Sequence, residues 1–353
     1  MSGNIKLYFH SEINMVPTTV LQQYAIESAQ ISPLGNGLIN ATWLVNMPNG
    51  QRLVLQRINT QVFQRPQDID YNLRLLGDYF RTQHPAYRFT QPIATQDGAT
   101  IVQADGEWYR LFDFIKGSHT VDVVQTPAQA YEAAKQFGQF TYLLKGIDAN
   151  QLKVTLPDFH NLPLRYQQFE KALQTAQPQR LQIAATAIKQ AQGYSGILQQ
   201  YQDLLPQLKI RIIHHDTKIS NVLLDAHDKG LCVIDLDTVM PGYFLSDVGD
   251  MMRTYLCPVS EEEADFDRIL VRPAFYQAIV QGYSDAMGDE LNAVEKQQFL
   301  FAGKMMTYMQ ALRFLTDYLN NDSYYGARYE GHNWVRAGNQ LALLQQLVLL
   351  EKK

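Results

Sequence analysis

Alternating apolar and polar residues dominate the first third of the chain and predict a sheet. Residues 41–47 and 52–58 form two such runs, separated by Pro48-Asn49-Gly50. Asn-Gly readily adopts the positive φ angles of a type I′ turn, so the two runs are predicted to pair as a β-hairpin. Residues 90–115 continue the pattern and are predicted to supply the remaining strands.

Helical spacing interrupts this sheet once and then governs the rest of the chain. Residues 66–80 carry apolar side chains at intervals of three and four, which predicts one helix between the strands. From Pro127 onward the spacing is helical. It ends in an apolar core helix predicted over residues 295–320 and an amphipathic helix predicted over residues 334–350.

Composition restricts the classes of function. The chain has 353 residues, of which 46% are hydrophobic and 18% charged, as expected for one or two compact domains. The formal charge of −5 and the lack of a basic cluster predict neither a nucleic-acid nor a membrane partner. No apolar run approaches the roughly 20 residues of a membrane helix. With two cysteines and no signal-peptide pattern, we expect a cytoplasmic location.

The segment with the clearest chemistry is residues 210–242, where short apolar runs deliver polar residues into loops. The first run leads to Asp216 and, five residues later, to Asn221. A predicted hairpin then leads to Asp235 and Asp237. Three carboxylates and an amide held close together repel one another unless a cation lies among them. The segment therefore predicts a site for a divalent metal and phosphate.

The spacing of this segment resembles the H-R-D-x-K-x-x-N motif of protein kinases. The sequence His214-His-Asp216-Thr-Lys218-Ile-Ser-Asn221, followed by Ile234-Asp-Leu-Asp, resembles the aminoglycoside phosphotransferase and choline kinase superfamily, whose second motif is I-D-x-D/E. Within that superfamily it looks most like the bacterial N-acetylhexosamine 1-kinases. Asp247-Val-Gly249-Asp250-x-x-Arg253 also matches the superfamily pattern.

This resemblance implies an α+β, bilobal protein-kinase-like fold. A small N-lobe with an antiparallel sheet would comprise residues 1–115, and a larger, mostly helical C-lobe would comprise residues 116–353, with Lys116-Gly117 as the hinge. The implied cofactors are ATP and Mg²⁺. The implied reaction is transfer of the γ-phosphate to a sugar hydroxyl, the anomeric hydroxyl of an N-acetylhexosamine.

The resemblance also implies roles for the residues of the two motifs. Asp216 would be the catalytic base and would contact the substrate, and Lys218 would neutralise the transferring phosphate. Asn221 and Asp235 would hold the metal, and Asp237 would bind it directly or through water. A purely structural reading, in which these residues cap strand ends, competes with this one.

Nucleotide contacts are implied upstream of these motifs. Leu34-Gly35-Asn36-Gly37 resembles the start of the glycine-rich cover over ATP, although a plain turn is an alternative. Arg57 aligns with the strand lysine that holds the α- and β-phosphates, a departure that leaves a buried or surface-paired arginine equally open. Backbone groups of Asp113 and Ile115 would hydrogen-bond the adenine.

A second departure lies on the predicted helix that follows. Tyr71 stands where the superfamily usually has glutamate. Asp68 or Asp70 is then left to supply the carboxylate partner of the basic strand residue.

Three residues outside the metal motifs are candidate substrate ligands. Arg253 could reach the substrate or a core carboxylate. Arg313 and Tyr324 could donate hydrogen bonds to a sugar, and Tyr324 could also lie against its ring. The alternative for Arg313 is an ion pair with Asp317, one turn later on the same helix.

Two other functions compete with a sugar kinase. One is a kinase for an aminoglycoside or a choline-like amino alcohol, favoured only by the acidic run at residues 261–267, which also suits a solvated loop. The other is a non-catalytic nucleotide-binding protein, suggested by the departures at Arg57 and Tyr71.

Overall fold

A five-stranded antiparallel sheet forms the N-terminal part of the molecule. The computed structural model describes residues 16–35 and 39–352. The strands lie in the order β1-β2-β3-β5-β4. Their bounds are β1 Gln30–Pro33, β2 Ala41–Asn46, β3 Arg52–Ile58, β4 Val102–Ala104 and β5 Glu107–Asp113. The β2–β3 hairpin confirms the prediction, with Gly50 at φ +84° in its turn.

One face of this sheet is apolar, and the other faces the loop that carries Asp237. Trp43, Val45, Leu53 and Leu55 pack on the apolar face, together with Val20 of α1 (Thr18–Gln23). Because successive strand residues point to opposite faces, the residues between them line the second face. The predicted helix follows β3 as α2, Pro66–Gln83.

Helices make up most of the C-terminal part. They are α3 Pro127–Leu143, α4 Leu162–Thr175, α5 Pro178–Ile183, α6 Ala185–Gly193, α7 Gly196–Leu204, α8 Phe244–Tyr255, α9 Pro273–Met287, α10 Phe299–Leu319 and α11 His332–Leu350. The predicted core helix is α10, which is buried along most of its length. An antiparallel sheet followed by a helical lobe confirms the predicted α+β, bilobal kinase-like fold. No helix among the described residues has the length and apolarity needed to cross a membrane.

Two short antiparallel strand pairs carry the polar loops between the helices. β6 (Arg211–Ile213) pairs with β9 (Met240–Gly242), and β7 (Val222–Leu224) pairs with β8 (Gly230–Val233). The loops after β6 and β8 therefore lie side by side.

Close packing of α8 against α10 sets the position of these loops. A Cβ atom at Gly249 would lie 2.5 Å from the carbonyl oxygen of Ala302 on α10, so only glycine permits this approach. Gly249 lies between Asp247 and Asp250, whose carboxylates bind the loop after β6. The glycine of the D-x-G-D pattern thus has a packing role.

Candidate active site

The loop after β6 is held by a buried carboxylate. Asp247 accepts the backbone N–H of His214 at 3.1 Å and that of His215 at 2.7 Å. His215 has φ +69°, a left-handed conformation that is uncommon outside glycine. Burial raises the pKa of Asp247 to about 6. This clamp fixes the chain direction immediately before Asp216.

His214 has a structural role in the loop. Its ring is fully buried, packs edge-on against Phe137 at 5.0 Å between centroids, and has Nε2 2.9 Å from the carbonyl oxygen of Ile234. Thr238 donates to the His214 carbonyl at 2.7 Å. These contacts join the loop after β6 to the loop after β8.

Asp216 presents a carboxylate with one occupied oxygen. Its Oδ2 lies 3.0 Å from Lys218 Nζ and 3.0 Å from Asn221 Nδ2. Burial raises the pKa of Asp216, but the Lys218 charge and these hydrogen bonds outweigh burial and hold the pKa below its usual value. Within the described residues, no donor bonds Asp216 Oδ1. That oxygen is available to accept a proton from a ligand.

Asp235 lies beside this group at the end of β8. Lys218 Nζ is 4.0 Å from its Oδ2, so the ammonium lies between two carboxylates. The backbone φ of Asp235 is +61°, which turns the chain sharply at this residue. Burial, with Asp237 and Asp216 nearby, raises the pKa of Asp235 to about 6. A nearby cation would relieve this repulsion.

Asn221 and Asp235 are the residues best placed to hold a metal ion. The Ile234 N–H donates to the Asn221 carbonyl at 2.9 Å, which keeps the two residues side by side. In the described part of the chain no three His, Cys, Asp or Glu side chains form a ready-made metal site. Mg²⁺ needs none, because it usually binds one or two carboxylates and takes its other oxygens from water and phosphates. The residues present fit that ion.

Asp237 is engaged by the N-terminal sheet. Its Oδ1 lies 2.5 Å from Arg110 Nη1, and its Oδ2 accepts from Asn40 Nδ2 at 2.7 Å. Both side chains of the ion pair are almost completely buried. Arg110 also donates to Gln56, its cross-strand neighbour on β3. The expectation that Asp237 binds metal thus meets a carboxylate whose two oxygens already have partners.

Arg253 is linked to the loop after β6 through Asp250. Asp250 accepts the Thr217 backbone N–H at 2.9 Å through one oxygen and pairs with Arg253 Nη2 at 2.9 Å through the other. Arg253 Nη1 lies 2.8 Å from Glu261, which also pairs with Arg336. Of the two roles expected for Arg253, the structure shows the contact with core carboxylates.

Arg313 is not paired with Asp317. Asp317 accepts the backbone N–H groups of Tyr324 and Tyr325 at 2.7 and 2.9 Å. Arg313 donates to the Gln310 amide oxygen at 3.2 Å, and no carboxylate among the described residues pairs with it. Its guanidinium is left with N–H groups for a ligand.

Tyr324 lies at the rim of this region. Its side chain is 57% exposed, and its ring packs edge-on against Tyr325 at 4.8 Å between centroids. The position leaves the Tyr324 ring free to contact a ligand.

The comparison with known proteins agrees with this geometry. The model of the APH family, described as a phosphotransferase enzyme family, matches residues 30–293. The chain belongs to this phosphotransferase family. An aminoglycoside phosphotransferase from Alicyclobacillus acidocaldarius shares 14% identity and a TM-score of 0.67, covering 98% of this chain and 99% of that one.

Two other solved structures are also similar in fold to the present chain. An amicoumacin kinase in complex with AMP-PNP and Ca²⁺ has 13% identity and a TM-score of 0.64, covering 95% of this chain and 94% of that one. A choline kinase from Cryptosporidium parvum has 13% identity and a TM-score of 0.54, covering 92% and 91%. At such identities the likeness shows the fold.

The residues expected to contact the nucleotide are only partly among the described residues, and those that are described do not all lie on one face of the sheet. Asn36 and Gly37 lie outside the described residues, and Gly35 has φ +73°. Arg57 extends from the face of β3 opposite to Gln56, where it contacts the Tyr109 hydroxyl. Arg57 is therefore not on the sheet face that reaches Asp237, whereas Arg110 is on that face.

The hinge region offers backbone groups after β5. Asp113 pairs with Leu53 at the end of the sheet, and the Phe114 N–H donates to the Arg52 carbonyl at 3.2 Å. The Ile115 carbonyl accepts from the Ser118 hydroxyl at 2.6 Å and closes a turn. Adenine binding by Asp113 and Ile115, and the lobe boundary at residue 115, remain predictions.

Helix α2 contributes an amide rather than a carboxylate to the site. Asp68 pairs with Arg65 at 3.1 Å and Asp70 with Arg74 at 3.0 Å, so each expected partner of Arg57 is bonded near its own helix. Asn72 donates to the carbonyls of Lys153 at 2.9 Å and Val239 at 3.1 Å, and its oxygen accepts the Lys153 N–H at 2.8 Å. It thereby ties α2 to the loop that carries Asp237.

Sequence reasoning missed Arg110 and Asn72 as parts of this site. A signal existed for Arg110, because an arginine inside the apolar run Trp108–Phe112 needs a buried acidic partner. Asn72 gave no such signal, because its three partners are backbone groups remote in sequence.

Proposed function

We propose that this phosphotransferase is an ATP-dependent kinase that transfers the γ-phosphate to the anomeric hydroxyl of an N-acetylhexosamine. The observation that carries the proposal is the arrangement of Asp216, Lys218 and Asn221, with Asp235 adjacent. It presents one free carboxylate oxygen beside a lysine and two possible metal ligands.

Asp216 acts as the base in this proposal. The acceptor hydroxyl donates its hydrogen bond to Asp216 Oδ1, because Oδ2 is held by Lys218 and Asn221. As the hydroxyl oxygen forms its bond to the γ-phosphorus, the bond from that phosphorus to the β,γ-bridging oxygen breaks, ADP leaves with the bonding electrons, and the hydroxyl proton passes to Asp216. A base with a lowered pKa suits this reaction, since phosphoryl transfer depends more on positioning and charge than on early proton removal. Lys218 balances the charge of the transferring group.

Mg²⁺ would be held by Asn221 and Asp235, and when bound it supplies charge stabilisation to the phosphates. The hard oxygen donors of the two side chains and the raised pKa of Asp235 support this choice. We assign Arg110, rather than Arg57, to the sheet face above the phosphates, where it orients Asp237. Asp237 then supports the metal loop from behind.

A neutral, hydroxyl-rich acceptor is favoured by the charges on the opposite side of Asp216. Arg313 has no carboxylate partner among the described residues, and burial together with the nearby Arg313 lowers the pKa of Arg165. Two neighbouring guanidiniums repel a cationic acceptor and donate hydrogen bonds to hydroxyl and carbonyl oxygens. An N-acetylhexosamine offers both.

The one sequence feature that favours a cationic acceptor is the acidic run at residues 261–267. Each of its first three carboxylates is paired with an arginine: Glu261 with Arg253 and Arg336, Glu262 with Arg328, and Glu263 with Arg268. Relatives named for aminoglycoside and choline phosphorylation keep such acceptors in the test.

The free thiols of the two buried cysteines support the proposed cytoplasmic location.

The deciding experiment is ATP turnover against a panel of acceptors. The panel contains GlcNAc, GalNAc, glucose, choline, aminopropanol and kanamycin, with ADP release as the rate and ³¹P NMR for the phosphorylated position. We expect sugar 1-phosphate from GlcNAc or GalNAc. Turnover of choline, aminopropanol or kanamycin with none of the sugars would contradict the acceptor assignment. ATP binding without transfer to any acceptor would favour the non-catalytic alternative.

A further inference from the structure

A row of stacked rings and guanidiniums reaches the loop after β6, where the ring centroids of His160 and His215 are 5.6 Å apart. Arg313 lies between two rings, 5.8 Å from the centroid of Phe159 and 5.5 Å from that of Tyr325. The Arg336 guanidinium also lies 5.4 Å from the Tyr325 centroid. His160 stacks on Phe159, with centroids 4.2 Å apart and planes 17° apart. Each ring therefore restricts the orientation of its neighbour.

This row continues into the catalytic loop through one hydroxyl. Ser246, in the first turn of α8, has its Oγ within hydrogen-bonding distance of His160 Nδ1 and 2.8 Å from His215 Nδ1. His215 is the residue before Asp216, and its φ of +69° fixes the direction in which Asp216 leaves the loop. Contacts thus run without a gap from Arg313 to the residue preceding the base.

The His215 ring has little freedom to move. A Cβ atom at residue 242 would lie 2.5 Å from its Cε1 atom, so the ring fills the space left by Gly242 on β9. Its backbone N–H is bonded to Asp247 at 2.7 Å. Because the His215 ring and backbone are both constrained, His215 cannot rearrange freely when Ser246 or His160 shifts. The shift is then passed on to the chain at Asp216.

The two imidazoles are neutral in this arrangement. Burial, with His215 and Arg313 nearby, lowers the pKa of His160 well below its usual value, and burial lowers the pKa of His215 to about 3. A single hydroxyl between them can donate its proton to one ring nitrogen and accept from the other, so a change in the tautomer of one ring alters what the other ring can bond.

We propose that Phe159 and His160 are positioning residues that set the place of Arg313 relative to Asp216. Phe159 supports the guanidinium through its ring face, and His160 ties Phe159 to the catalytic loop through Ser246 and His215. The inference rests on the proposed function in one respect: Arg313 is taken as the residue that holds the acceptor. Neither Phe159 nor His160 takes part in the proton transfer.

The first test is a double-mutant cycle on the acceptor that the wild-type enzyme turns over best. Phe159→Leu is expected to lower kcat/KM for the acceptor by about tenfold, the size of a lost guanidinium–ring contact, and to leave KM for ATP unchanged. In the Arg313→Ala background the same substitution is expected to have almost no further effect. Phe89→Leu, which changes a half-buried ring stacked on Phe80, is the matched control.

Non-additivity is what separates positioning from the alternatives. If the losses from Phe159→Leu and Arg313→Ala multiply, Phe159 acts on its own and the proposal is wrong. If Phe159→Leu raises KM for ATP as much as for the acceptor, or behaves like Phe89→Leu, the proposal is also wrong. Phe159→Tyr, which keeps the ring, is expected to restore activity.

A second measurement needs no substrate and so remains decisive if the acceptor assignment fails. The ¹⁵N chemical shifts of imidazoles report their tautomers, and we expect Ser246→Ala or Phe159→Leu to shift both the His160 and His215 signals. His160→Gln, which can still bond Ser246, is expected to leave the His215 signal near its wild-type position, while His160→Ala moves it. A His215 signal unmoved in all of these variants would overturn the link.

Discussion

The two sides of Asp216 carry opposite charges. Toward Asp235, two carboxylates share the single Lys218 ammonium. Toward Arg313, that guanidinium pairs with no carboxylate among the described residues, and the Arg165 guanidinium lies nearby. The first side has two carboxylates for one ammonium, and on the second side Arg313 has more N–H groups than bonded acceptors in the described residues. In the proposed function, the first side takes a metal-bound phosphate and the second takes an oxygen-rich, uncharged acceptor.

Removing the carboxylate between the two sides should have the largest effect on turnover. Asp216→Asn keeps the shape but cannot take a proton, so we expect kcat to fall by about 10²–10⁴-fold, with ATP still bound. Steady-state kinetics and calorimetric ATP titration measure the two quantities. Asp203→Asn, on an exposed helix, is the control. Unchanged turnover in Asp216→Asn would remove the base assignment.

Breaking the ion pair behind the phosphate side should cost the most stability. Arg110→Met leaves the Asp237 carboxylate buried and unpaired, and we expect the free energy of unfolding to fall by about 3–5 kcal/mol. Arg81→Met, in an exposed pair with Asp78, should change it by at most about 1 kcal/mol. Urea unfolding of both variants makes the comparison. Equal effects would show that Asp237 does not depend on Arg110.

On the acceptor side, Arg313→Ala should affect one substrate selectively. A hydrogen bond from a charged donor is worth about 1.5–3 kcal/mol, so kcat/KM for the acceptor should fall roughly 10- to 100-fold while KM for ATP stays constant. Arg74→Ala on α2 is the control. If a cationic acceptor is instead turned over faster by Arg313→Ala, the side is selecting against cations, as its charge predicts. A rise in KM for ATP would place Arg313 on the wrong side.

The clamp beneath both sides should give stability a pH dependence. The pKa of Asp247 is raised to about 6 from the model-peptide value of 3.8, so the folded state binds its proton more tightly than the unfolded state. The stability from this group is fully present below pH 3.8 and is lost as pH rises through about 6. Asp247→Asn should flatten that slope between about pH 4 and 6, while losing about 1–3 kcal/mol because one loop N–H loses its acceptor. Urea unfolding across this range tests it, and an unchanged slope would contradict the assignment.

The smallest effects should come from the acidic run. Glu262 pairs with Arg328 in an exposed setting, and such pairs contribute about 0–1 kcal/mol. Glu262→Gln should therefore change kcat/KM for any acceptor by less than about twofold. A large loss confined to choline or kanamycin would instead restore the amino-alcohol function.

The two sides also differ in how well sequence predicts them. Asp216, Lys218, Asn221 and Asp235 come from one continuous segment whose loop spacing brings them together, so their proximity could be predicted. The acceptor side combines α4, α8, α10 and the Phe159 loop, and only tertiary packing decides that Arg313 faces Phe159 rather than Asp317. The fold was predictable because local periodicity agrees with it. The Arg110–Asp237 pair was not, because no local signal relates Arg110, in the middle of β5, to Asp237, in the loop after β8.

Asn72 has a consequence for regulation. In protein kinases the helix equivalent to α2 can swing to assemble or disassemble the catalytic ion pair. Here, moving α2 would strip hydrogen bonds from three backbone groups, the Lys153 amide and the carbonyls of Lys153 and Val239. Each loss would cost about 1–3 kcal/mol where the group stays dry. We therefore expect α2 to keep its position and turnover to follow the supply of substrates.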